Sequence, residues 1–229
     1  MPRTRRQTLK DKPEKVVYES TAKYKVVKAK NQEQYNFLKC IREKTVSIAL
    51  GIAGTGKSHI ACGAAAELLI SGHIETIVII RPALECGQSM GMIPGTIDDK
   101  VGPYMNPLLT ELGYFLNTKE LLAQGKLAIQ ALGYARGMTF LNSLVIIDEV
   151  QSIDERSLKM ILSRIGAGSK YVIIGDDEQS DLKHIEAAKT AEKIDQLIRL
   201  SYTNNEIGYV ELLESVRHPL IKVLLSIWN

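Results

Sequence analysis

A lysine set between a glycine and a serine, and two adjacent acids much later in the chain, are the residues best suited to phosphate chemistry. The run Gly51, Ile52, Ala53, Gly54, Thr55, Gly56, Lys57 and Ser58 has the spacing G-x-x-x-x-G-K-[ST]. Glycines in such a run let the backbone wrap around anionic oxygens, so that successive N–H groups donate to them. A helix starting there directs its positive end at the same place. In this motif Lys57 reaches the β- and γ-phosphates of a nucleotide, and the Ser58 hydroxyl is a ligand for Mg2+. His59, next in line, joins the loop residues as an expected nucleotide contact. A chance match in a turn would not need a strand before it and a helix after it; an apolar run and a helical run flank this one.

Hydrolysis also needs a metal-side carboxylate and a group that orients water. The segment SLVIIDEVQ offers both. Asp148 closes an apolar strand, where a Mg2+ acceptor belongs, and Glu149 follows at a position from which it can polarise the attacking water. Adjacent acids at a strand end can instead cap the next helix, but with a phosphate loop upstream the catalytic reading is favoured. A third apolar run, in YVIIGDDEQSDL, ends at Gly175-Asp176, with Gln179 three residues further on.

These residues have to be positioned by strands and helices. TVSIAL, TIVIIRP, LAIQAL, SLVIID and SKYVIIGD are short apolar runs suited to buried strands, and GYVELLE is a further candidate. Lys23–Lys28 is a weakly supported edge strand. Between these runs lie helical patterns. NQEQYNFLKCIREK has Asn31 as N-cap and Tyr35, Leu38 and Ile41 at helical spacing. KSHIACGAAAELLI follows the glycine loop, and YMNPLLTELGYFL and KELLAQ give helical pieces in an irregular, glycine-rich middle. DERSLKMILSRIG puts Leu158, Ile161, Leu162 and Ile165 on one face. KTAEKIDQLIRLSY and VRHPLIKVLLSIW close the chain as helices. Apolar runs alternating with helices predict an α/β fold with a mostly parallel sheet covered on both faces.

The 229 residues, 45% apolar, suit one α/β domain with an appended arm. Residues 1–30 carry ten Lys/Arg against three acids, whereas the whole chain is only +3, so a basic arm precedes a mildly acidic body. Such an arm can touch nucleic acid, or it can be a solvated tail. No apolar run is long enough for a bilayer and no signal sequence opens the chain, so no membrane partner and a cytoplasmic location are expected. Cys40, Cys62 and Cys86 match neither a disulfide framework nor a zinc spacing, and read as buried thiols.

The motifs, in this order, resemble the PhoH-like family of P-loop ATPases. The resemblance runs from about Asn31 to the C-terminus through GIAGTGKS, RPALECGQSMGMIPG, KVGPYMNPLL, ARGMTFLNSLVIIDEVQ, RIGAGSKYVIIGDDEQSDL and SVRHPL. Ser58 stands where the family usually has Thr, DEVQS where it has DEAQN, and Met138 where it has a second Arg. The resemblance implies a RecA-like P-loop NTPase core over residues 29–229 behind a basic arm, residues 1–28, with ATP and Mg2+ as ligands. Asn31-x-x-Gln34 is similar to the adenine-reading element of helicase-type ATPases, since a side-chain amide can both donate to and accept from the adenine edge. The other reading of that pair is an N-cap followed by an exposed helical Gln. Gly175-Asp176-x-x-Gln179 is similar to their γ-phosphate sensor.

With one RecA-like domain, a transition-state arginine would have to come from elsewhere. Arg217 in VRHPL resembles the family's late arginine motif and is expected to reach the site of a neighbouring copy in a ring-like homo-oligomer, with a hexamer as the implied form. Arg164 is the other candidate, and the plain alternative pairs Arg217 with Glu214. Arg81 and Arg136 are placed to touch RNA or single-stranded DNA phosphates, or to form salt bridges within the subunit. The expected function is a Mg2+-dependent ATPase related to superfamily 1 helicases, acting on or regulated by RNA or single-stranded nucleic acid. The alternative is a nucleotide-gated assembly protein that does not translocate. A small-molecule kinase fits the Asp176–Gln179 pattern poorly.

Overall fold

The computed structural model describes residues 24–82, 107–132, 137–176, 184–217 and 220. Six strands form one sheet: β1 (Val46–Leu50), β2 (Thr76–Arg81), β3 (Leu127–Ala131), β4 (Ser143–Ile147), β5 (Lys170–Gly175) and β6 (Ile207–Glu211). Their order is β3-β2-β4-β5-β1-β6, and every pairing is parallel. The sequence accounts for this directly. VSIAL, TIVIIR, SLVII and KYVIIG are nearly continuous apolar, β-branched runs, as strands covered on both faces require. β4 is buried at every position, whereas the edge strand β6 is only half-buried.

Side chains alternate between two apolar layers. Ile77 and Ile79 of β2, Leu144 and Ile146 of β4, and Val172 and Ile174 of β5 face α1 (Gln32–Glu43), α2 (Lys57–Ile70) and the helical residues 107–113, here α3. The intervening residues, Val78, Ile80, Val145, Ile147 and Ile173, face α5 (Glu155–Leu162) and α6 (His184–Ser201). A short helix, α4 (Thr118–Ala123), leads into β3. Each fully buried isoleucine contributes roughly 1.5–3 kcal/mol through removal from water. The Ala-rich face of α2 lets it lie close to the sheet, with Ile60, Ala61, Ala64 and Ala65 all buried. The two described cysteines, Cys40 and Cys62, are buried free thiols whose pKa burial pushes up.

The expected α/β architecture, a parallel sheet with helices on both faces, is the observed one. Local expectations differ in five places. Tyr35 is 51% exposed, and Phe37 takes the core position, because the buried stripe of α1 runs Gln34, Phe37, Leu38, Ile41. Ile165 lies beyond the end of α5 at Leu162 and bridges Phe140 instead of extending the helical face. No strand forms over residues 24–28; Val27 packs into the core against Gly63 of α2. α6 begins at His184, five residues before the Lys189 of the expected pattern. Val216 and Arg217, the first residues of the expected closing helix, are not helical; the rest of that helix apart from Leu220, residues 1–23, and most of the glycine-rich middle with Cys86 lie outside the described residues. Among the described residues no helix is long and apolar enough to cross a membrane.

The strand order matters for chemistry. β5 sits between β1 and β4, so the C-terminal ends of β4, β5 and β1 are neighbours. In open parallel sheets ligands bind in the crevice outside those ends.

Candidate active site

β1 ends at Leu50 and the chain turns at once into the phosphate loop. Gly51 has φ 139°, and any side chain there would run into the carbonyl of Leu212. The loop is closed internally by Thr55 Oγ1, which donates to Ile52 O at 3.1 Å. Gly56 is the N-cap of α2 and has no side chain with which to satisfy the first-turn N–H groups. Lys57 Nζ donates to Gly51 O at 2.5 Å and to Ile52 O at 2.9 Å, which holds the ammonium against the loop that precedes it.

The acids arrive from the next strands. The N–H of Asp148 donates to Ile80 O at 3.0 Å, carrying the β4–β2 ladder one residue past the strand and fixing the carboxylate at the sheet edge. Asp148 is 7% exposed. Burial, and then the neighbouring Glu149, push its carboxyl up to about 6, against the pull of Arg81 and Lys57. Glu149 has φ 55° and ψ 46°, a left-handed conformation that costs an unbranched non-glycine residue about 1 kcal/mol or more. Its carboxylate is gripped from two sides: Arg81 Nη2 donates to Oε1 at 3.4 Å, and Gln151 Nε2 donates to Oε2 at 2.6 Å. Gln151, 8% exposed, also accepts from the Asp176 N–H at 3.1 Å. One amide therefore ties the acid after β4 to the end of β5.

Lys57, Ser58, His59, Asp148 and Glu149 line one crevice of about 450 Å³, joined by Gln34, Asp176 and Arg217. That size is within the range of small-ligand sites. Gln34 is buried, not an exposed helical residue. Its Oε1 accepts from the Lys30 N–H at 2.8 Å, and its Nε2 donates to Thr55 O at 2.8 Å, so α1 braces the phosphate loop. Asn31 caps α1 as expected, accepting from the Gln34 N–H at 2.9 Å. His59 Nδ1 lies 2.9 Å from Glu111 Oε2, and its ring packs on Phe115 and Tyr114.

The arginines fall in different places. Arg81 is paired inside the subunit, with Glu149 and with Asp148 Oδ2 at 3.9 Å, so the salt-bridge alternative is the observed one. Arg217 lies over Gly54 on the phosphate loop of its own chain, and no ion pair joins it to Glu214. Arg164 sits at the opposite edge of the sheet, where its carbonyl accepts from the Phe140 N–H ahead of β4. Gln179 and Arg136 lie outside the described residues. The sequence pattern did not single out Gln151 for a role. Its place two residues after Glu149 in DEVQ becomes a contact only because the left-handed turn at Glu149 folds the chain back.

A glycine loop between a buried parallel strand and a helix, facing strand-end acids across an intervening strand, defines a P-loop NTPase of the RecA-like α/β class. Within that class the chain belongs to the PhoH-like family: the model described as "PhoH-like protein" matches residues 26–229. It is 32% identical over 219 residues to a PhoH-like protein of Synechocystis, covering 94% of this chain and 66% of that one. It is 34% identical to a PhoH-like protein of Bacillus subtilis, covering 91% and 66%. To Protein PhoH of Escherichia coli it is 37% identical over 159 residues, covering 67% and 45%. The chain thus spans about two thirds or less of the length of these relatives. Among solved structures it is similar to the Pif1 helicase from Candida albicans, with 16% identity, a TM-score of 0.43, and coverage of 89% and 44%.

Proposed function

We propose that this protein is a cytoplasmic, Mg2+-dependent ATPase whose turnover is coupled to single-stranded nucleic acid, RNA foremost. The observation that carries the reading is the convergence of the phosphate loop, the strained Glu149 and the end of β5 on one crevice. The family membership supports nucleotide use. ATP as substrate would lay its phosphates along the loop amides, with Lys57 exchanging its bonds to Gly51 O and Ile52 O for bonds to phosphate oxygens.

The donor set fits magnesium. The Ser58 hydroxyl and the Asp148 carboxylate are hard oxygen ligands on the same crevice, and a carboxylate this desolvated gains from a nearby cation. When bound, the ion neutralises charge on the β- and γ-phosphate oxygens. Glu149, held by Arg81 and Gln151, presents a carboxylate in one orientation from which water can be polarised. Gln34 stiffens the loop from behind, and one lone pair and one N–H of its amide remain for the adenine edge. Gln179 is assigned to sensing the γ-phosphate.

The arm, residues 1–28, supplies positive charge for nucleic-acid phosphates, so stimulation should weaken as salt rises. The assembly proposed from the family resemblance is a ring-shaped homo-oligomer, with a hexamer as the implied form. The test is ATP hydrolysis with and without RNA or single-stranded DNA, alongside light scattering for mass. Wild-type turnover should rise with single strands, and Glu149→Gln should lower it about a hundredfold or more while nucleotide still binds. Hydrolysis indifferent to single strands would favour the nucleotide-gated assembly role instead.

A further inference from the structure

The segment after β6 does not leave the domain; it crosses the phosphate loop. The Leu212 N–H donates to Leu50 O at 2.8 Å, and the Val216 N–H donates to Gly54 O at 3.0 Å. Between those points, Glu33 Oε2 of α1 accepts from the Leu213 and Glu214 N–H groups at 2.9 and 3.0 Å. Residues 212–217 are therefore a strap tied to the end of β1 at one side, to the loop at the other, and to α1 in the middle. The loop is shaped to receive it. A Cβ on Gly51 would collide with the Leu212 carbonyl, and a Cβ on Gly54 would overlap the methylenes and Nε of Arg217. Glycine at position 54 thus serves a close side-chain approach as well as its φ of 83°. Arg217 lines the same crevice as Lys57 and Glu149, and among the described residues no carboxylate is ion-paired with it.

We infer that Arg217 is a phosphate-contacting residue for the ATP bound to its own chain, delivered in cis by the 212–217 strap. A guanidinium set over Gly54 of a phosphate loop, in the crevice that Lys57 also lines, is placed to meet the charge that spreads over the terminal phosphoryl oxygens in the transition state. The usual single-domain solution takes that cation from a neighbouring subunit. Here the strand order removes the need, because β6 lies next to β1 and its exit runs straight over the loop. The inference rests on the proposed ATPase reading.

The test uses two full-length variants, Lys57→Ala and Arg217→Ala, co-expressed with different tags and purified through both. Arg217→Ala alone should lose about a hundredfold or more in turnover while still binding a fluorescent ATP analogue, which also reports that it is folded; Arg217→Lys should recover part of the loss. A mixed assembly should be as inactive as its parts, since no chain in it holds both residues. If no mixed assembly forms, the wild type decides: turnover by chains that scatter as monomers places the arginine within the chain and the inference stands, whereas turnover that vanishes on dilution to monomers overturns it. Restored turnover in the mixture would place the arginine in trans and overturn it, as would an Arg217→Ala variant with wild-type turnover. If the wild type itself does not hydrolyse ATP, the ATPase reading falls separately. Arg217 is then read from binding of ADP with aluminium fluoride relative to ADP alone, a preference that Arg217→Ala should abolish and whose persistence would sink the inference.

Discussion

The two edges of the sheet solve opposite problems. At the N-terminal edge, polar groups satisfy one another: Ser169 Oγ donates to Phe140 O at 2.8 Å and accepts from the Ser143 N–H at 3.0 Å. Nearby, Lys170 Nζ donates to Lys44 O at 2.6 Å, and the Tyr171 hydroxyl donates to Ile161 O at 3.0 Å. At the C-terminal edge the same strands end in a buried acid, a left-handed glutamate and a loop whose helix lacks a side-chain cap. Most polar capacity is closed off at one edge, with Ser47 Oγ and Arg164 Nε as buried exceptions there, and at the other it is left facing a crevice. The difference teaches that stability and chemistry are assigned to opposite ends of the same strands: β4 is entered through a left-handed asparagine, Asn142, a type that tolerates φ 48°, and left through a left-handed glutamate, which tolerates it less well.

The largest expected effect comes from removing the charge at the chemical edge. Asp148→Asn should lower hydrolysis about a hundredfold and yet stabilise the fold at neutral pH. The sign follows from proton binding. The folded state holds the Asp148 proton to about pH 6, above the ordinary carboxylate value. The Asp148 contribution to stability is therefore fully present below about pH 4 and is lost as pH rises through 6, by on the order of 2–3 kcal/mol, whereas Asp154, whose carboxyl is held low, contributes with the opposite sign at acid pH. Thermal melts between those pH values should show that slope in wild type and not in Asp148→Asn. A variant that is less stable at pH 7 would erase the contrast between the two edges.

At the other edge the signs reverse. Ser169→Ala leaves a buried N–H and a buried carbonyl without a partner, and should cost about 2 kcal/mol of stability with turnover per folded molecule unchanged. Denaturant midpoints and single-turnover rates measure the two separately. The smallest effect sharpens the comparison. Gln151→Ala should cut turnover about tenfold, with KM for ATP unchanged, because Glu149 loses the donor that fixes its Oε2. A change in KM alone would show that Gln151 serves nucleotide binding and does not position the water-orienting acid.

Much of this was readable from local pattern. β-Branched runs marked the strands, Asn31 marked the start of α1, and the glycine spacing marked the loop, because each depends on residues within about one turn or one strand of each other. Tyr35 misled because a tyrosine in a helical pattern suits a rim as well as a core; Phe37 next to Leu38 won the buried stripe. Ile165 misled because periodicity does not say where a helix stops, and the chain after Leu162 is drawn off to meet Phe140.

The amino-acid sequence by itself determined the class of fold, the phosphate loop and the acids at Asp148 and Glu149, since those rest on short-range spacing and on runs that must be buried on both faces. Only the tertiary structure decided that Gln151 bridges Glu149 to β5, that Arg81 is tied to both acids, and that Arg217 returns to its own loop. Those contacts depend on the strand order, which sets β5 between β1 and β4 and β6 beside β1, and no local spacing encodes which distant strand ends become neighbours.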